Sequence, residues 1–414
     1  MTRTLFRDAR VFDGWSEDLR DGADVLVEDG VIREISDSPI AIRDDIDVVD
    51  CAGRTLMPGL IDAHVHVYAG SVNLPSVTHW PRTYTAHFGA RFLESCIDSG
   101  FTTVRDVGGG DVGIANALRD GFIKGPRFFY GGRIVSQTGG HGDMRLGHAD
   151  LHDDGFCGCA CYTDVFAIIA DGVDAVRWAA REELRRGASH IKIMASGGMA
   201  SPTDPLECSQ YSDEEIRAAV DEATRVNKYV AAHCHPTIAI RRCVELGVRS
   251  IEHASMIDDE TAAFVAEAGA FTVPTMAVIF TLLEEGARLG LPQVSIDKLN
   301  MLSGHMLAGL ETMKRNNVKM GFGTDLLGEL HSHQTDEFAL RARVLPAIDI
   351  LRSACSVNAE LLQQEGKLGC IREGALADIL VVDGDPLKDV TVLGGAGRNL
   401  AAIMSAGKFH KRTI

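Results

Sequence analysis

The feature that most restricts the fold of this chain is the repeated alternation of short apolar segments with longer amphipathic ones. Eight apolar segments are predicted to be strands, at residues 60–67, 102–107, 127–131, 190–195, 229–235, 250–254, 270–275 and 318–325. Strands that alternate with helical segments indicate βαβ units and a parallel sheet. Because eight such units close a TIM barrel, we expect an α/β fold, a (β/α)8 barrel, over residues 58–365.

Two of the intervening segments carry clear signals for the start of a helix. Ser212 precedes Glu215 by three residues and an apolar stripe follows, which is the pattern of a capping box and predicts a helix over 212–227. Asp258 stands at the head of a second predicted helix, over 258–268.

The two ends of the chain have a different pattern. Residues 5–56 and the last stretch alternate apolar and polar residues in short runs, as in 31–35 and 377–383, broken by Gly and Asp. This alternation is typical of antiparallel strands with one buried face. We therefore expect residues 1–57 and 366–414 to pair into a small composite β-sandwich domain beside the barrel.

Charge and hydropathy exclude several kinds of partner. The 414 residues include 41 basic and 58 acidic side chains, a formal net charge of −17, which repels nucleic-acid phosphates and anionic membrane surfaces. No apolar run approaches the roughly 20 residues of a membrane helix, and residues 1–8 contain no apolar stretch of a secretory signal. We expect a cytoplasmic protein that acts on a small molecule and has no nucleic-acid or membrane partner.

The ten cysteines do not suggest a disulfide framework, because most are scattered along the chain. We expect most to be reduced core residues. Cys157, Cys159 and Cys161 are clustered, but their CxCxC spacing lacks the paired CxxC of a structural zinc site. A reduced surface loop is the favoured interpretation of this cluster, with local metal or redox chemistry as the alternative.

A candidate metal site begins at the end of the first predicted strand. His64 and His66 are two residues apart, and alternate residues of a strand share a face, so both imidazoles point the same way. An HxH pair alone is a weak signal. It gains weight because His233, His253 and Asp325 end the fifth, sixth and eighth predicted strands, where barrel strands deliver side chains to the catalytic face.

Lys192 lies inside the fourth predicted strand, in the otherwise apolar sequence Ile191-Lys-Ile-Met194. A buried ammonium without compensation would be costly, and two divalent ions about 3.5–4 Å apart need a bridging ligand. A neutral lysine amine that adds carbon dioxide becomes a carbamate, an anionic bidentate ligand. The alternative is that Lys192 faces outward or forms a salt bridge below the barrel.

Together these motifs resemble the amidohydrolase superfamily, in its branch of binuclear enzymes with a carboxylated lysine. Segments 102–108, 136–143, 195–204 and 366–378 are similar to those of the prolidase-type and Xaa-Arg/Lys dipeptidases, a group related to ochratoxin-type amidases. The resemblance runs over nearly the whole chain. It implies a metal-dependent hydrolase of peptide or amide bonds, and similar proteins are often homo-oligomers, which we also expect here.

The resemblance also implies a ligand set. His64, His66 and Asp325 would hold the more buried metal, His233 and His253 the other, and Lys192, as N6-carboxylysine formed with carbon dioxide, would bridge both. Nitrogen and oxygen donors without thiolate suit zinc, which we expect, and also admit cobalt, manganese, nickel or iron.

Roles in catalysis follow from this ligand set. A hydroxide between the two metals would attack the amide, with Asp325 as the base that takes its proton and passes it to the leaving amine. His141, in the loop after the third strand, would contact the substrate and stabilise the developing oxyanion. His235 shares a strand face with His233 and is the second predicted substrate contact, at a point where related dipeptidases have a tyrosine.

We predict cleavage of the bond to a C-terminal amino acid, with Xaa-Pro dipeptides as the leading substrate. The alternatives are an N-acyl amino-acid amidase of the ochratoxin type or a carboxypeptidase for basic residues. A mononuclear deaminase would lack Lys192. A metal-free scaffold homologue is the alternative that is not an enzyme, and retention of every ligand type argues against it.

Overall fold

The two ends of the chain lie side by side in one eight-stranded sheet in the computed structural model, which describes residues 2–42, 45–145, 165–201 and 203–414. Its strands are β1 (Arg3–Val11), β2 (Arg20–Glu28), β3 (Val31–Ser36), β4 (Asp47–Asp50), β5 (Thr55–Pro58), β16 (Ile379–Val382), β17 (Leu400–Ser405) and β18 (Lys408–Arg412). The expected pairing of the two ends is therefore present, through the antiparallel pair β5 and β16.

Most neighbours in this sheet are antiparallel, as the alternating pattern predicts, but β1 pairs in parallel with both β4 and β5. The inward residues of this sheet form an apolar cluster that is separate from the main core. The cluster includes Phe6, Val25, Leu56, Ile379 and Met404. Both ends of the chain contribute residues to this cluster, so neither end can bury its apolar face alone.

The described residues in the central part of the chain form ten short parallel strands. They are β6 (Leu60–Val65), β7 (Phe101–Asp106), β8 (Arg127–Tyr130), β9 (Ile134–Ser136), β10 (Ala167–Ile169), β11 (Ile191–Met194), β12 (Val230–Pro236), β13 (Ser250–Met256), β14 (Phe271–Val273) and β15 (Lys319–Met320). β6 to β8 form one group in that order, and the other group has the order β10, β9, β11, β12, β13, β14, β15.

Hydrogen bonds outside the regular ladders connect these two groups. The Ala63 amide donates to the Phe322 carbonyl at 2.8 Å, and the Asp325 amide donates to the His64 carbonyl at 2.8 Å, which joins the end of the β15 segment to β6. On the other side the Ser189 amide, just before β11, donates to the Tyr130 carbonyl at 2.8 Å. The arrangement is of the TIM-barrel type, with β6 next to the last strand in sequence.

The third predicted strand, 127–131, is confirmed as β8, which ends before Gly131 and Gly132, where Gly132 has a φ of +73°. Strand β9, which follows these glycines, was not predicted. The eighth is reduced to β15, and residues 321–325 run on beside β6 without a regular ladder. Strand β10 was not predicted; it pairs with β9 outside the ring.

The helices lie between and after these strands. They are α1 (Leu74–Val77), α2 (Arg82–Asp98), α3 (Val112–Arg119), α4 (Val173–Arg185), α5 (Asp213–Arg225), α6 (Thr237–Glu245), α7 (Asp259–Glu267), α8 (Met276–Glu285), α9 (Gln293–Arg315), α10 (Asp336–Arg341), α11 (Ala347–Arg352) and α12 (Asn358–Leu361). Short 3-10 helices occur at Gly328–His333 and Val390–Leu393, and a π-helical turn at Ser353–Val357 joins α11 to α12.

Both helix start signals are confirmed. Ser212 and Glu215 form the reciprocal capping box of α5, and the Asp258 carboxylate accepts a hydrogen bond from the Thr261 amide at the start of α7. None of the helices in the described part of the chain has the length and hydropathy to cross a membrane.

Seven cysteines lie in the described ranges; all are free thiols and five are buried. This agrees with the expectation of reduced core residues. The cluster Cys157, Cys159 and Cys161 lies outside the described residues.

Candidate active site

All the predicted metal ligands line one cavity at the carboxyl ends of the barrel strands. His64 ends β6 and His66 follows it, and their Nε2 atoms lie 3.4 Å and 3.2 Å from the same Asp325 oxygen, Oδ1. The His253 ring is 4.9 Å from that of His64 and 4.6 Å from that of His233. The structure therefore brings together the five side chains that the sequence placed on four separate strands.

The donor set fits a divalent cation. One ligand atom each from His64, His253 and Asp325 lie within 4.8 Å of one another. Imidazole nitrogen and carboxylate oxygen, with no described thiolate in the cavity lining, are donors that suit zinc and other first-row divalent metals.

Each of the four imidazoles has one ring nitrogen held by a partner outside the cavity. This is typical of metal-binding histidines, because the outer bond fixes the tautomer and the ring orientation. The bonds run, in chain order, from His64 Nδ1 to Glu252 Oε2 at 2.7 Å, His66 Nδ1 to the Gly108 carbonyl at 2.9 Å, His233 Nε2 to the Gly197 carbonyl at 3.1 Å and His253 Nδ1 to Thr275 Oγ1 at 2.8 Å.

The partner of His64 belongs to a buried ion pair that sequence reasoning missed. Glu252 is fully buried, and both its oxygens accept from Nη2 of the fully buried Arg105, at 2.8 and 2.9 Å. Burial alone would raise the pKa of Glu252, but the Arg105 guanidinium holds it well below its usual range. The signal in the sequence was a charge inside each of two apolar strands, β7 and β13.

Lys192 lies in the middle of β11, 1% exposed, and lines the same cavity as the histidines. Burial lowers the pKa of its amine. Within the described residues its Nζ forms no ion pair or hydrogen bond, so the alternative of an outward position or a salt bridge below the barrel does not hold. The amine thus lies buried in the same cavity as the predicted histidine and aspartate ligands.

The backbone is strained where β13 and the β15 segment meet the site. His253, Ala254 and Asp325 have φ values of +71°, +50° and +55°, in the left-handed region that such residues rarely adopt. Strain of this kind persists only where surrounding structure fixes it, and it clusters at functional sites. The turn at Asp325 points its carboxylate back toward His64 and His66.

The charge states of these groups follow from their surroundings. Burial lowers the pKa of His233 and of His253 well below the usual value, so both rings are neutral lone-pair donors. Burial would raise the pKa of Asp325, but the neighbouring His64 and His66 hold it well below its usual range. Burial would lower the pKa of His66, but its hydrogen bond to Asp325 raises it. The ionised Asp325 and the neutral His233 and His253 are the donors in the cavity that are ready to bind a cation.

His141 lies beside the predicted ligands, with its ring stacked on that of His233 at 4.2 Å. Its Nδ1 donates to the Ser201 hydroxyl at 2.7 Å, and that hydroxyl donates to the Asp204 carboxylate. His141, Ser201 and Asp204 are all buried, and sequence reasoning missed the last two as its partners. Burial lowers the pKa of His141 to about 4, so the ring is neutral at pH 7.

His235 projects into the same cavity, with its ring 4.7 Å from that of His233, as the strand alternation predicts. Its Nδ1 lies 3.2 Å from the Ser255 hydroxyl. Burial lowers the pKa of His235 to about 3, so it offers a substrate a neutral hydrogen bond rather than a positive charge.

Apart from the predicted ligands, His141 and His235, the described residues of the cavity wall are apolar. Among the described residues that line it, Asp325 is the only acidic one. The larger apolar side chains include Leu74, Ile134, Met144, Met194, Met199 and Ile279. Outside the cluster of predicted ligands, the cavity therefore favours an uncharged, apolar group.

Comparison with known proteins agrees with this geometry. The amidohydrolase family profile matches residues 55–409, which takes in the barrel strands, every residue of the site and, from the sheet formed by the two ends, β5, β16, β17 and the start of β18. The chain belongs to the amidohydrolase family. It is accordingly a hydrolase of amide or peptide bonds, in a family that generally uses divalent metals.

Relatives of this amidohydrolase include both dipeptidases and amidases. It is 33% identical over 351 residues to the ochratoxinase of Aspergillus niger, which covers 81% of this chain and 72% of that protein. A solved amidohydrolase is 47% identical with a TM-score of 0.96, and 99% of each chain is covered. A solved prolidase in complex with N-methylphosphonate-L-proline is 41% identical with a TM-score of 0.95, over 99% of this chain and 100% of that one.

Proposed function

We propose that this amidohydrolase is a binuclear metal-dependent dipeptidase that releases a C-terminal amino acid, with Xaa-Pro dipeptides as its leading substrates. The observation that carries the proposal is the meeting of five predicted ligands and the buried Lys192 in one cavity. The likeness to a prolidase over the full length of both chains supports the choice of substrate.

His64, His66 and Asp325 would hold one divalent ion, His233 and His253 the other, and Lys192 both, after its amine has added carbon dioxide and lost a proton. Zinc is the ion that we expect. Bound metal ions supply an acidic water and polarise the amide carbonyl.

Residues of the chain itself would transfer the proton and contact the substrate. Asp325 reaches His64 and His66 through Oδ1 and has Oδ2 3.9 Å from His253 Nδ1, so its carboxylate lies central enough to take a proton and pass it to the leaving amine. His141 is neutral and donates through Nδ1 to Ser201, so its Nε2 can accept a hydrogen bond from the substrate but cannot donate one to an oxyanion, and the predicted oxyanion role does not fit this hydrogen bonding.

The apolar wall supports a substrate with an apolar group beside the cleaved bond. His235, being neutral, would donate one ordinary hydrogen bond from Nε2 to the free carboxylate of the leaving amino acid, with Nδ1 accepting from the Ser255 hydroxyl. Such a bond contributes about 0.5–1.5 kcal/mol, which is roughly two- to tenfold in kcat/KM. This is smaller than the effect expected of a charged histidine.

A second candidate is an N-acyl amino-acid amidase, which the apolar wall and the likeness to ochratoxinase both favour. The carboxypeptidase for basic residues stays an alternative that none of the described cavity residues specifically favours. Lys192 in the cavity disfavours the mononuclear deaminase.

A panel of substrates separates these functions. Purified protein, loaded with zinc and checked for two metals per chain, would be assayed with Ala-Pro, Met-Pro, Ala-Arg, N-acetyl-phenylalanine and their C-terminal amides. A prolidase cleaves the Xaa-Pro acids best, whereas an N-acyl amidase prefers the acylated amino acid. Equal cleavage of acids and amides would contradict both, and absence of bound metal would favour the scaffold homologue. His235→Ala should narrow the preference for acids over amides at unchanged metal content.

We also propose the finer architecture that the sequence predicts: a closed eight-stranded barrel over residues 58–365 and a β-sandwich domain from 1–57 and 366–414. The hydrogen bonds between β6 and the segment after β15 support the closure, and the shared apolar cluster supports the composite domain. The cytoplasmic location and the homo-oligomeric state stay predictions.

A further inference from the structure

A lysine on helix α9 is bound to the loop that follows β11. Lys298 Nζ donates to the carbonyl oxygens of Gly198, Ser201 and Asp204, at 2.8, 2.9 and 2.7 Å. An ammonium has three N–H donors, so this loop takes all of them. The nearest carboxylate oxygen, Asp204 Oδ1, is 3.7 Å away. Lys298 therefore binds the loop chiefly through hydrogen bonds to backbone carbonyls rather than through an ion pair. Only 12% of the lysine side chain is exposed.

This loop is the support of His141. Ser201 accepts from His141 Nδ1 at 2.7 Å, and Gln210, at the end of the loop, accepts from the His141 amide at 2.9 Å. Gly198 lies flat against the ring, since a Cβ at this position would be 2.3 Å from its Cε1 and Nε2 atoms. His141 is thus in contact with the loop through its side chain, its backbone and its ring face.

The same loop forms part of the cavity wall, through Met199 and Ala200. These two residues lie between the carbonyls of Gly198 and Ser201 that Lys298 binds. A shift of this backbone would therefore move His141 and the apolar wall together.

We propose that Lys298 is a positioning residue for hydrolysis. By binding the carbonyls of Gly198, Ser201 and Asp204, it holds His141 and the part of the cavity wall formed by Met199 and Ala200 in place against the substrate. The proposal rests on the proposed function in giving His141 a substrate contact. Lys298 itself touches neither the substrate nor the predicted metal ligands.

The main test compares Lys298→Met with Lys314→Met. Both remove an ammonium from α9, but Lys314 pairs with Asp349 and makes no contact with the loop. Amide hydrogen exchange of residues 196–210 should become at least about tenfold faster in the Lys298 variant and stay unchanged in the control. Unchanged exchange in the Lys298 variant would refute the proposal that Lys298 holds the loop in place.

Turnover of the metal-loaded enzyme tests the positioning role. Displacement of a catalytic group by about 1 Å can cost about 10²-fold, so Lys298→Met should lower kcat between ten- and a hundredfold at unchanged metal content. If Lys298 acts through His141, then Lys298→Met should change kcat less than threefold in a His141→Ala background. Full additivity of the two substitutions would refute the role.

A second variant covers the case in which Lys298→Met does not fold. Ser201→Ala leaves the three carbonyl contacts intact and removes only the hydroxyl between His141 and Asp204. It should lower kcat without faster exchange of the loop, and wild-type kcat in this variant would contradict the proposal. Hydrogen exchange is measured without turnover. If the wild-type protein cleaves none of the amides, the proposed function is refuted, but the exchange rates still show whether Lys298 holds the loop.

Discussion

Replacing Glu252 by leucine would leave the Arg105 guanidinium without its anion where both side chains are fully buried. Breaking one partner of a buried ion pair costs about 3–5 kcal/mol, whereas replacing both by apolar groups is often neutral. We therefore expect Glu252→Leu to lower the free energy of unfolding by about 3–5 kcal/mol, and the double variant Arg105→Met/Glu252→Leu to recover most of that loss.

In these two variants, metal affinity should not follow the free energy of unfolding. His64 Nδ1 loses its acceptor, 2.7 Å away, in the single and in the double variant alike. Loss of such an outer partner typically lowers metal affinity 10–100-fold, or about 1.4–2.8 kcal/mol. The double variant should thus fold nearly as well as the wild type and still bind metal about 10–100-fold more weakly.

The assay uses urea unfolding of the metal-free proteins for stability, and competition with a chelator for metal affinity. Glu337 and Arg341 offer a matched control, because they form a second fully buried pair, 2.6 Å apart, that touches none of the predicted ligands. Arg341→Met/Glu337→Leu should leave metal affinity unchanged. Wild-type metal affinity in Arg105→Met/Glu252→Leu would refute the reasoning that Glu252 fixes His64.

Three other outcomes can be measured with the same protein. Lys192→Ala should lose metal and activity, and a short carboxylic acid should restore part of the activity while Lys192→Arg should not; full activity without the acid would contradict the carbamate. Asp325→Asn should keep substantial metal while kcat falls at least about 10²-fold, and near-normal turnover with metal bound would mean that another base acts. Removing metal with a chelator should abolish hydrolysis and lower stability, by about 2.7 kcal/mol relative to protein at 100 times the metal Kd; an unchanged midpoint of unfolding would count against binding to the native state.

The strands and the predicted ligands could be located from sequence because their signals are local. An apolar run marks a barrel strand, and a histidine or aspartate at its end marks the catalytic face. The same reasoning missed the three-residue strands β9 and β10, and extended the eighth strand to Asp325 although the ladder stops at Met320. In these places the backbone follows contacts with neighbouring strands that no local pattern reports.

The partners of the predicted ligands were harder to find. Glu252 and Arg105 stand out as charges in apolar strands, yet their pairing with each other and with His64 depends on three strands meeting in space. Lys298 and Ser201 carry no signal, because their roles depend on how a helix and a loop 97 residues apart in sequence come together. The protonation state of His235 could not be predicted from the sequence, since it depends on how deeply the ring is buried.

Three of the apolar side chains that line the cavity are methionines, Met144, Met194 and Met199. A methionine has an unbranched side chain with a polarisable sulfur, and it changes rotamer to fill gaps of different shape at little cost. The pocket can therefore receive acyl groups of different outline by turning thioethers rather than by moving backbone. The same atoms make it vulnerable, because oxidation to sulfoxide would turn a dry wall polar while leaving the imidazoles and Asp325 untouched.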